Sequence, residues 1–425
     1  MQIAWSKTRL GVGRKVNIMK LTAKKQILAL VFLCAFTYFI SYLTRKNFEA
    51  IIEKISVVTG NARSSLAIAS TGMFITYGVG QLISGFLGDR IQPKHLVTIG
   101  LLATSTMNFL MPIRCLPLQI VFWCINGFAQ AFMWPPIVKI MTAKLSTDDY
   151  NANTQKVNWG STIATILLYL VSPAIISFSS WEFVFVFCGA FGLLGAVIWW
   201  FKCPKIELVE RQKPIVTVEK KRGIFAPVLI AVIVGIVCMG MLRDGVEGWM
   251  PSFISDRFGV ETEHAILSAV ILPVFALICF AVVTQIYRKL LKNPMLCAGV
   301  VFSLGLTASI VLYFFGGVNM VLSMILFAIL TGCMHGVNLV LICILPGYFK
   351  NTGRVSLMSG LLNSFTYVGS ATMTYLTPLL VEISPGVKDW NLTLILWLAV
   401  AILGTLCCLL SIKPWKKYEK RLLSK

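Results

Sequence analysis

Arginines are rare inside long apolar stretches, because a charge at the centre of a membrane helix costs about 2.5–3.5 kcal/mol on insertion scales. Two stand in such stretches here, in Leu43-Thr-Arg45-Lys-Asn-Phe-Glu49 and Leu242-Arg243-Asp-Gly-Val-Glu247. Each precedes a glutamate by four residues and lies about 20 residues past a basic one, Lys25 or Arg222. A guanidinium stays charged at any relevant pH and offers a planar fork of donors matched to phosphate or carboxylate oxygens. Two of them at matched depth can clamp an anion. The competing reading is that both snorkel to an interface and only anchor helix ends. Glu49 and Glu247, one turn on, are expected to pair with these arginines when the site is empty, and Asp244 with Lys46. Acids within the apolar stretches are few, which leans away from proton coupling.

The elements that hold these residues follow from composition. Of 425 residues, 57% are apolar and only 13% charged, with a mean hydropathy of +0.80. A soluble chain carries about 25% charged residues, so the solvent for most of this one is lipid. Twelve apolar segments can be marked, roughly 25–45, 64–88, 95–113, 116–140, 156–178, 182–202, 225–250, 265–287, 294–315, 319–345, 355–381 and 390–412. Each approaches the ~20 residues a helix needs to cross the hydrocarbon, and backbone groups in lipid must bond internally, so these are helices. The first follows a basic leader, is too long for a signal-peptide core and reads as an uncleaved span. The 12 cysteines show no metal spacing, disulfide framework or redox motif.

Charge sets the topology. The net charge of +21 suits a nucleic-acid binder in principle, but the basic residues sit in short loops between apolar runs. They cluster in the leading tail, the even-numbered loops and the trailing tail. Only Arg45, Lys46, Lys54, Arg63, Arg114, Arg243, Arg257 and Lys388 lie elsewhere, which predicts cytoplasmic termini in a cell membrane. The polar stretch near 203–224 divides six helices from six. This predicts an N-terminal half over 1–205, a linker over 206–221 and a C-terminal half over 222–425, a layout of carriers built from two related halves.

Several motifs narrow this further. Gly85-Phe-Leu-Gly88-Asp89-Arg90 resembles the G-x-L-x-D-R signature of the major facilitator superfamily. There Asp89 and Arg90 form an expected charge latch, while Gly78, Gly80, Gly85 and Gly88 permit close helix packing. Tyr38-x3-Tyr42-x2-Arg45-Lys46-Asn47-Phe48 resembles the first helix of the organophosphate:phosphate antiporter family, which includes glycerol-3-phosphate and hexose-phosphate transporters. Gly127-Phe-Ala-Gln130 with Trp134-Pro135-Pro136 is similar to that family's fourth helix, and Ser364-Phe-Thr-Tyr367-Val-Gly369 to its eleventh. Arg243 matches its second arginine. The resemblance implies that Arg45 and Arg243 bind phosphate and that Tyr38, Tyr42, Trp134 and Tyr367 line the path. Two departures stand out. Gln81 follows Tyr77-Gly-Val-Gly where the family usually has a lysine after a Tyr-Gly pair, and Trp159-Gly-Ser-Thr-Ile-Ala lacks the fifth-helix histidine of the glycerol-phosphate members. His335 and Asn338, one turn apart in the tenth helix, are candidate replacements. His335 falls near the position of a family pocket tyrosine, and its protonation would make transport pH-sensitive. Gln81 and Gln130 are candidate donors to substrate oxygens, or bridges between helices.

The expectation is an all-α membrane protein with twelve transmembrane helices in two six-helix halves, the major facilitator fold. Its expected activity is secondary active transport of a small organic anion, a phosphate ester exchanged for phosphate, by alternating access. A sugar acid or carboxylate is the alternative cargo, and a membrane sensor of sugar phosphate the alternative class. No Gly-x-x-x-x-Gly-Lys-Ser/Thr phosphate loop, metal cluster or nucleophile–base pair occurs in the sequence. The reading is therefore a carrier with no enzyme activity, cofactor or metal. Its expected partners are the anionic solute, inorganic phosphate and the bilayer, without nucleic acid, and the chain is read as a monomer.

Overall fold

A computed structural model describes residues 21–87, 91–204, 227–352, 355–384 and 387–423. Seven helices form a first group: α1 (Lys24–Thr59), α2 (Arg63–Leu87), α3 (Pro93–Leu110), α4 (Leu116–Gln130), α5 (Trp134–Lys144), α6 (Thr147–Phe178) and α7 (Trp181–Lys202). The second group begins with α8 (Pro227–Gly240), a π turn (Met241–Gly245), α9 (Val246–Phe258), α10 (Thr262–Ser268), α11 (Ile271–Lys289) and α12 (Pro294–Phe315). It continues through α13 (Met320–Asn338), a second π turn (Leu339–Ile344), a 3-10 turn (Leu345–Thr352), α14 (Val355–Val381), α15 (Asn391–Leu410) and α16 (Ile412–Leu423). Among the described residues, ten helical stretches are long and apolar enough to cross a bilayer. Helices α3 and α14, of 18 and 27 residues, lie in series with them and accommodate the twelve expected crossings. Large apolar side chains such as Phe32, Phe178, Phe201, Phe314 and Leu410 stand exposed, where hydrocarbon would cover them.

Helix α1 runs well past the segment expected at 25–45, for 36 residues or about 54 Å. Arg45 therefore sits in mid-helix, where hydropathy alone had ended it. The helix continues because its polar residues are buried inside the protein, with Lys46, Asn47 and Glu49 meeting polar partners there. Gly60 closes it at φ 71°, a left-handed conformation that suits glycine, with its N–H bonded to the Ser56 carbonyl. Helix α9 ends in the same way, with Gly259 at φ 64° bonded to Ser255. A short antiparallel pair, β1 (Glu382–Ser384) with β2 (Val387–Lys388), lies between α14 and α15 of the otherwise helical fold.

Helix α2 lies along α14 from Arg63 and Ser64 near Glu382 to Gly78 beside Ser364 and Tyr367. Helices α1 and α6 reach α9 and α10. The end of the bundle away from Lys24 and Lys202 is termed distal here. There a buried ion network ties the two groups together. Arg63, 2% exposed, bonds Asp256 at 2.5 and 2.9 Å and also contacts Glu53. Ser252 donates to Glu53 at 2.9 Å, and Lys388 and Trp390 donate to Asp256 at 2.9 and 3.1 Å. Lys54 pairs with Glu263 at 2.6 Å. Asp89 and Arg90 of the expected latch, and the expected linker over 206–221, lie outside the described residues.

Candidate anion site at the centre of the bundle

Tyr38 and Tyr42 are four residues apart on α1, which places them on one helix face, and their ring centroids are 5.1 Å apart. Tyr38 also meets Trp134 of α5 at 4.8 Å. Trp134 reaches this point because the fourth crossing breaks after α4 and restarts at α5 with prolines in its first turn, where a missing N–H is tolerated. Across from them, Tyr77 of α2 and Tyr367 of α14 meet edge to face at 4.5 Å. The Arg45 guanidinium carbon lies 4.1 Å from the Tyr42 ring centroid and 4.9 Å from that of Tyr77. Aromatic faces attract a guanidinium without consuming its hydrogen-bond donors. Arg45 is 5% exposed, its Nε has no hydrogen-bond partner, and among the described residues no carboxylate pairs with it.

Arg243 sits in the first π turn, a local widening that is frequent at functional sites. Its Nε and Nη2 donate to Asp244 at 3.1 and 2.7 Å, and its Nη1 donates to Asn338 Oδ1 at 2.9 Å. Ser370 of α14 donates to Asp244 at 2.6 Å. Tyr42 and Tyr367 lie within electrostatic reach of both arginines. Both guanidinium groups thus act electrostatically on the same two tyrosines.

Glu49 and Glu247 do not pair with the arginines as expected. Both gather on Lys46, whose Nζ is 3.1 Å from Glu49 and 3.8 Å from Glu247. The reason is helix rotation: Arg45 turns toward the α2 tyrosine, while Lys46, the next residue, faces α9. The expected contact between Lys46 and Asp244 is present at 3.7 Å and crosses between the helix groups. His335 stands 3.6 Å from Glu247. Gln130 bridges helices: it accepts from Ser41 at 2.6 Å and donates to Thr44 and Thr104 at 2.9 and 2.8 Å. Gln81 is buried, with its Nε2 unpartnered.

The Major Facilitator Superfamily model matches residues 34–344, almost three-quarters of the chain. The chain belongs to this superfamily. A probable hexose phosphate transport protein of Chlamydia trachomatis is 27% identical over 146 residues, covering 34% of this chain and 32% of that protein. The membrane sensor protein UhpC of Salmonella typhimurium is 28% identical over 165 residues, 38% of this chain and 37% of that protein. The glycerol-3-phosphate transporter of Bacillus subtilis is 30% identical over 152 residues, 34% of each. The match thus spans about a third of the length of these relatives, which are of the kinds that the Arg-Lys-Asn-Phe and Trp-Pro-Pro motifs resemble. Among solved structures, the nucleoside transporter NupG superposes with a TM-score of 0.73 at 12% identity, covering 90% of this chain and 99% of that one. A bacterial homologue of the lysosomal transporter Spinster gives 0.72 at 14% identity, over 95% and 99%. These likenesses show the fold, a multi-pass bundle of membrane helices.

Three features of this facilitator were not expected from its sequence. Tyr77 joins Arg45, though the motif around it drew attention only to Gln81. Tyr169 of α6, 3% exposed, lies within electrostatic reach of Lys46, Glu49 and Glu247. Cys343 of the second π turn is solvent-exposed. Beneath Arg45, a buried amide network fixes the rotation of α1. Asn47 donates to Asn108 at 2.7 Å, and Asn108 and Asn126 donate to the Thr44 carbonyl at 3.0 and 3.1 Å.

Proposed function

We propose that this facilitator carries a small organic anion, a phosphate ester exchanged for inorganic phosphate, by alternating access across a cell membrane. The observation that carries the reading is Arg45: a buried guanidinium with no carboxylate partner, set among tyrosines it shares with Arg243. An arginine in lipid is retained at a cost, and a carboxylate partner would remove its attraction for an anion. The aromatic faces hold Arg45 in place and leave its fork free. Arg243 is held by Asp244 and Asn338, so a dianionic phosphoryl group would compete with Asp244 for it.

An anion touching both arginines draws the first and second helix groups together. Rocking of one against the other would then expose the site to the other side. The contacts at the distal end fit a state closed to the outside, with both termini cytoplasmic. The relatives named for hexose phosphate and glycerol-3-phosphate support a phosphate ester as cargo. Gln81 favours a second reading, a sugar acid or other carboxylate, because a neutral amide replaces a cation that a dianion would use.

Purified protein in phosphate-loaded proteoliposomes tests the reading. Exchange of labelled phosphate for external hexose phosphate or glycerol 3-phosphate is the expected result. Carboxylate uptake without phosphate exchange supports the second reading, and saturable binding without flux identifies a sensor instead.

A further inference from the structure

The last turns of α9 and α12, the turn before α13 and the first turn of α15 come together at the distal end around a cavity of about 150 Å³. Each of these helices belongs to a stretch long and apolar enough to cross the bilayer, so the cavity lies at the depth of lipid headgroups. Among the described residues that line it, Arg257 alone is charged. Asp256 beside it holds Arg63, Lys388 and Trp390, yet Arg257 itself has no hydrogen bond or ion pair among the described residues. Its guanidinium lies over Gly317, where a Cβ would strike it, so the bare glycine lets the cation stand in the cavity. A basic residue in the last turn of a helix also suits the helix dipole, but that role needs neither a cavity nor a glycine facing it.

The remaining walls are those of a membrane interface. Tyr313 and Trp390 are amphipathic aromatics of the kind that collects at headgroup depth. Phe314 and Val318, 67% and 73% exposed, carry the wall out to the surface that hydrocarbon covers. We propose that this cavity binds an anionic phospholipid of the distal leaflet, its headgroup phosphate on Arg257 and an acyl chain along Phe314 and Val318. The acyl chain gains little over its contacts with other lipids, so the phosphate on the guanidinium supplies the preference. A water-soluble anion would leave the apolar wall uncovered. No carboxylate stands among the described lining residues to hold the ammonium of a zwitterionic head. The cavity also adjoins the buried ion network. Trp390 meets Phe253 at 5.2 Å and donates to Asp256 at 3.1 Å, so a lipid against its ring restrains a group that holds the network together. None of this depends on the cargo proposed for the central site.

Native mass spectrometry of the full-length protein in detergent, titrated with phosphatidylglycerol, tests the site. One tightly held lipid is expected in the wild type. Its dissociation constant is expected to rise about tenfold or more in Arg257→Gln, the worth of a hydrogen bond to a charged group. Gly317→Val keeps the charge but displaces the guanidinium, and a similar loss is expected. Arg114→Gln is the control, a distal arginine 65% exposed and paired with Glu182, and is expected to leave binding unchanged. Equal affinity in the wild type and Arg257→Gln would overturn the proposal, and so would equal weakening in the control. Displacement of the lipid by an equal concentration of inorganic phosphate would assign the cavity to a soluble anion instead, and equal retention of phosphatidylcholine would overturn the preference for an anionic head. Hydrogen exchange over 252–263 is expected to slow when phosphatidylglycerol is added to the wild type and not to Arg257→Gln; an unchanged rate in the wild type would overturn the link to the ion network.

Discussion

The two arginines are held by different means, and the proposed anion site rests on that difference. Arg45 lies between the faces of Tyr42 and Tyr77, while Arg243 has its fork on Asp244 and Asn338. Replacing Tyr77 by Phe keeps the aromatic face, and replacing it by Leu removes it. Anion affinity is expected to fall little in the first variant and by about 0.5–2 kcal/mol in the second, measured by titration calorimetry. Gln130 makes a separate claim. Its amide is fully engaged in a helix-bridging network, so Gln130→Ala is expected to cost about 1–3 kcal/mol of stability, read from detergent unfolding. At this scale the arginines were legible in the sequence because a lone guanidinium in an apolar run is rare and their spacing repeats. The pairing of Glu49 and Glu247 with Lys46 was not legible. It depends on which side of α1 faces α9, a rotation set by buried contacts such as that between Asn47 and Asn108.

Elements position these residues through close backbone approach. A side chain at Gly240 would meet the Thr366 carbonyl of α14, and one at Gly369 would meet the Val237 carbonyl of α8. The π turn bearing Arg243 begins directly after Gly240. Gly240→Ala and Gly369→Ala are expected to destabilise the protein by about 1–3 kcal/mol and to weaken anion binding by displacing that turn. Gly360→Ala on the same α14, where a side chain would meet open space, is the control expected to leave the melting temperature unchanged. Apolar run lengths gave the crossings in order. They ended α1 too early, because a hydropathy window reads Arg45, Lys46, Asn47 and Glu49 as solvated when all four are buried, Lys46, Asn47 and Glu49 with polar partners and Arg45 against aromatic faces. The π turns and the short β pair leave no local signature of period or turn residue, since the packing of neighbouring helices decides them.

For the whole molecule, the distal ion network is the structural lock on the described state. Arg63 binds Glu53 of its own helix group and Asp256 of the other. Arg63→Ala leaves both carboxylates short of a cation, a loss of about 3–5 kcal/mol for a buried pair. Hydrogen exchange is expected to show lost protection over 53–64 and 252–263, while the region around Arg45 keeps its own. Superfamily membership and the succession of membrane helices were legible from composition and motifs. The lock was less so: positive-inside counting set Arg63 and Lys388 apart from the cytoplasmic side but carries no information on burial or partners, and Arg63 is buried. The account turns finally on one anion meeting two guanidinium groups. Calorimetric titration of the full-length protein with inorganic phosphate, beside Arg45→Lys and Arg243→Lys, tests that most directly, because lysine keeps the charge and loses the fork. Saturable binding that weakens at least tenfold, about 1.4 kcal/mol, in each variant is the predicted result. Wild-type affinity in both variants would contradict it.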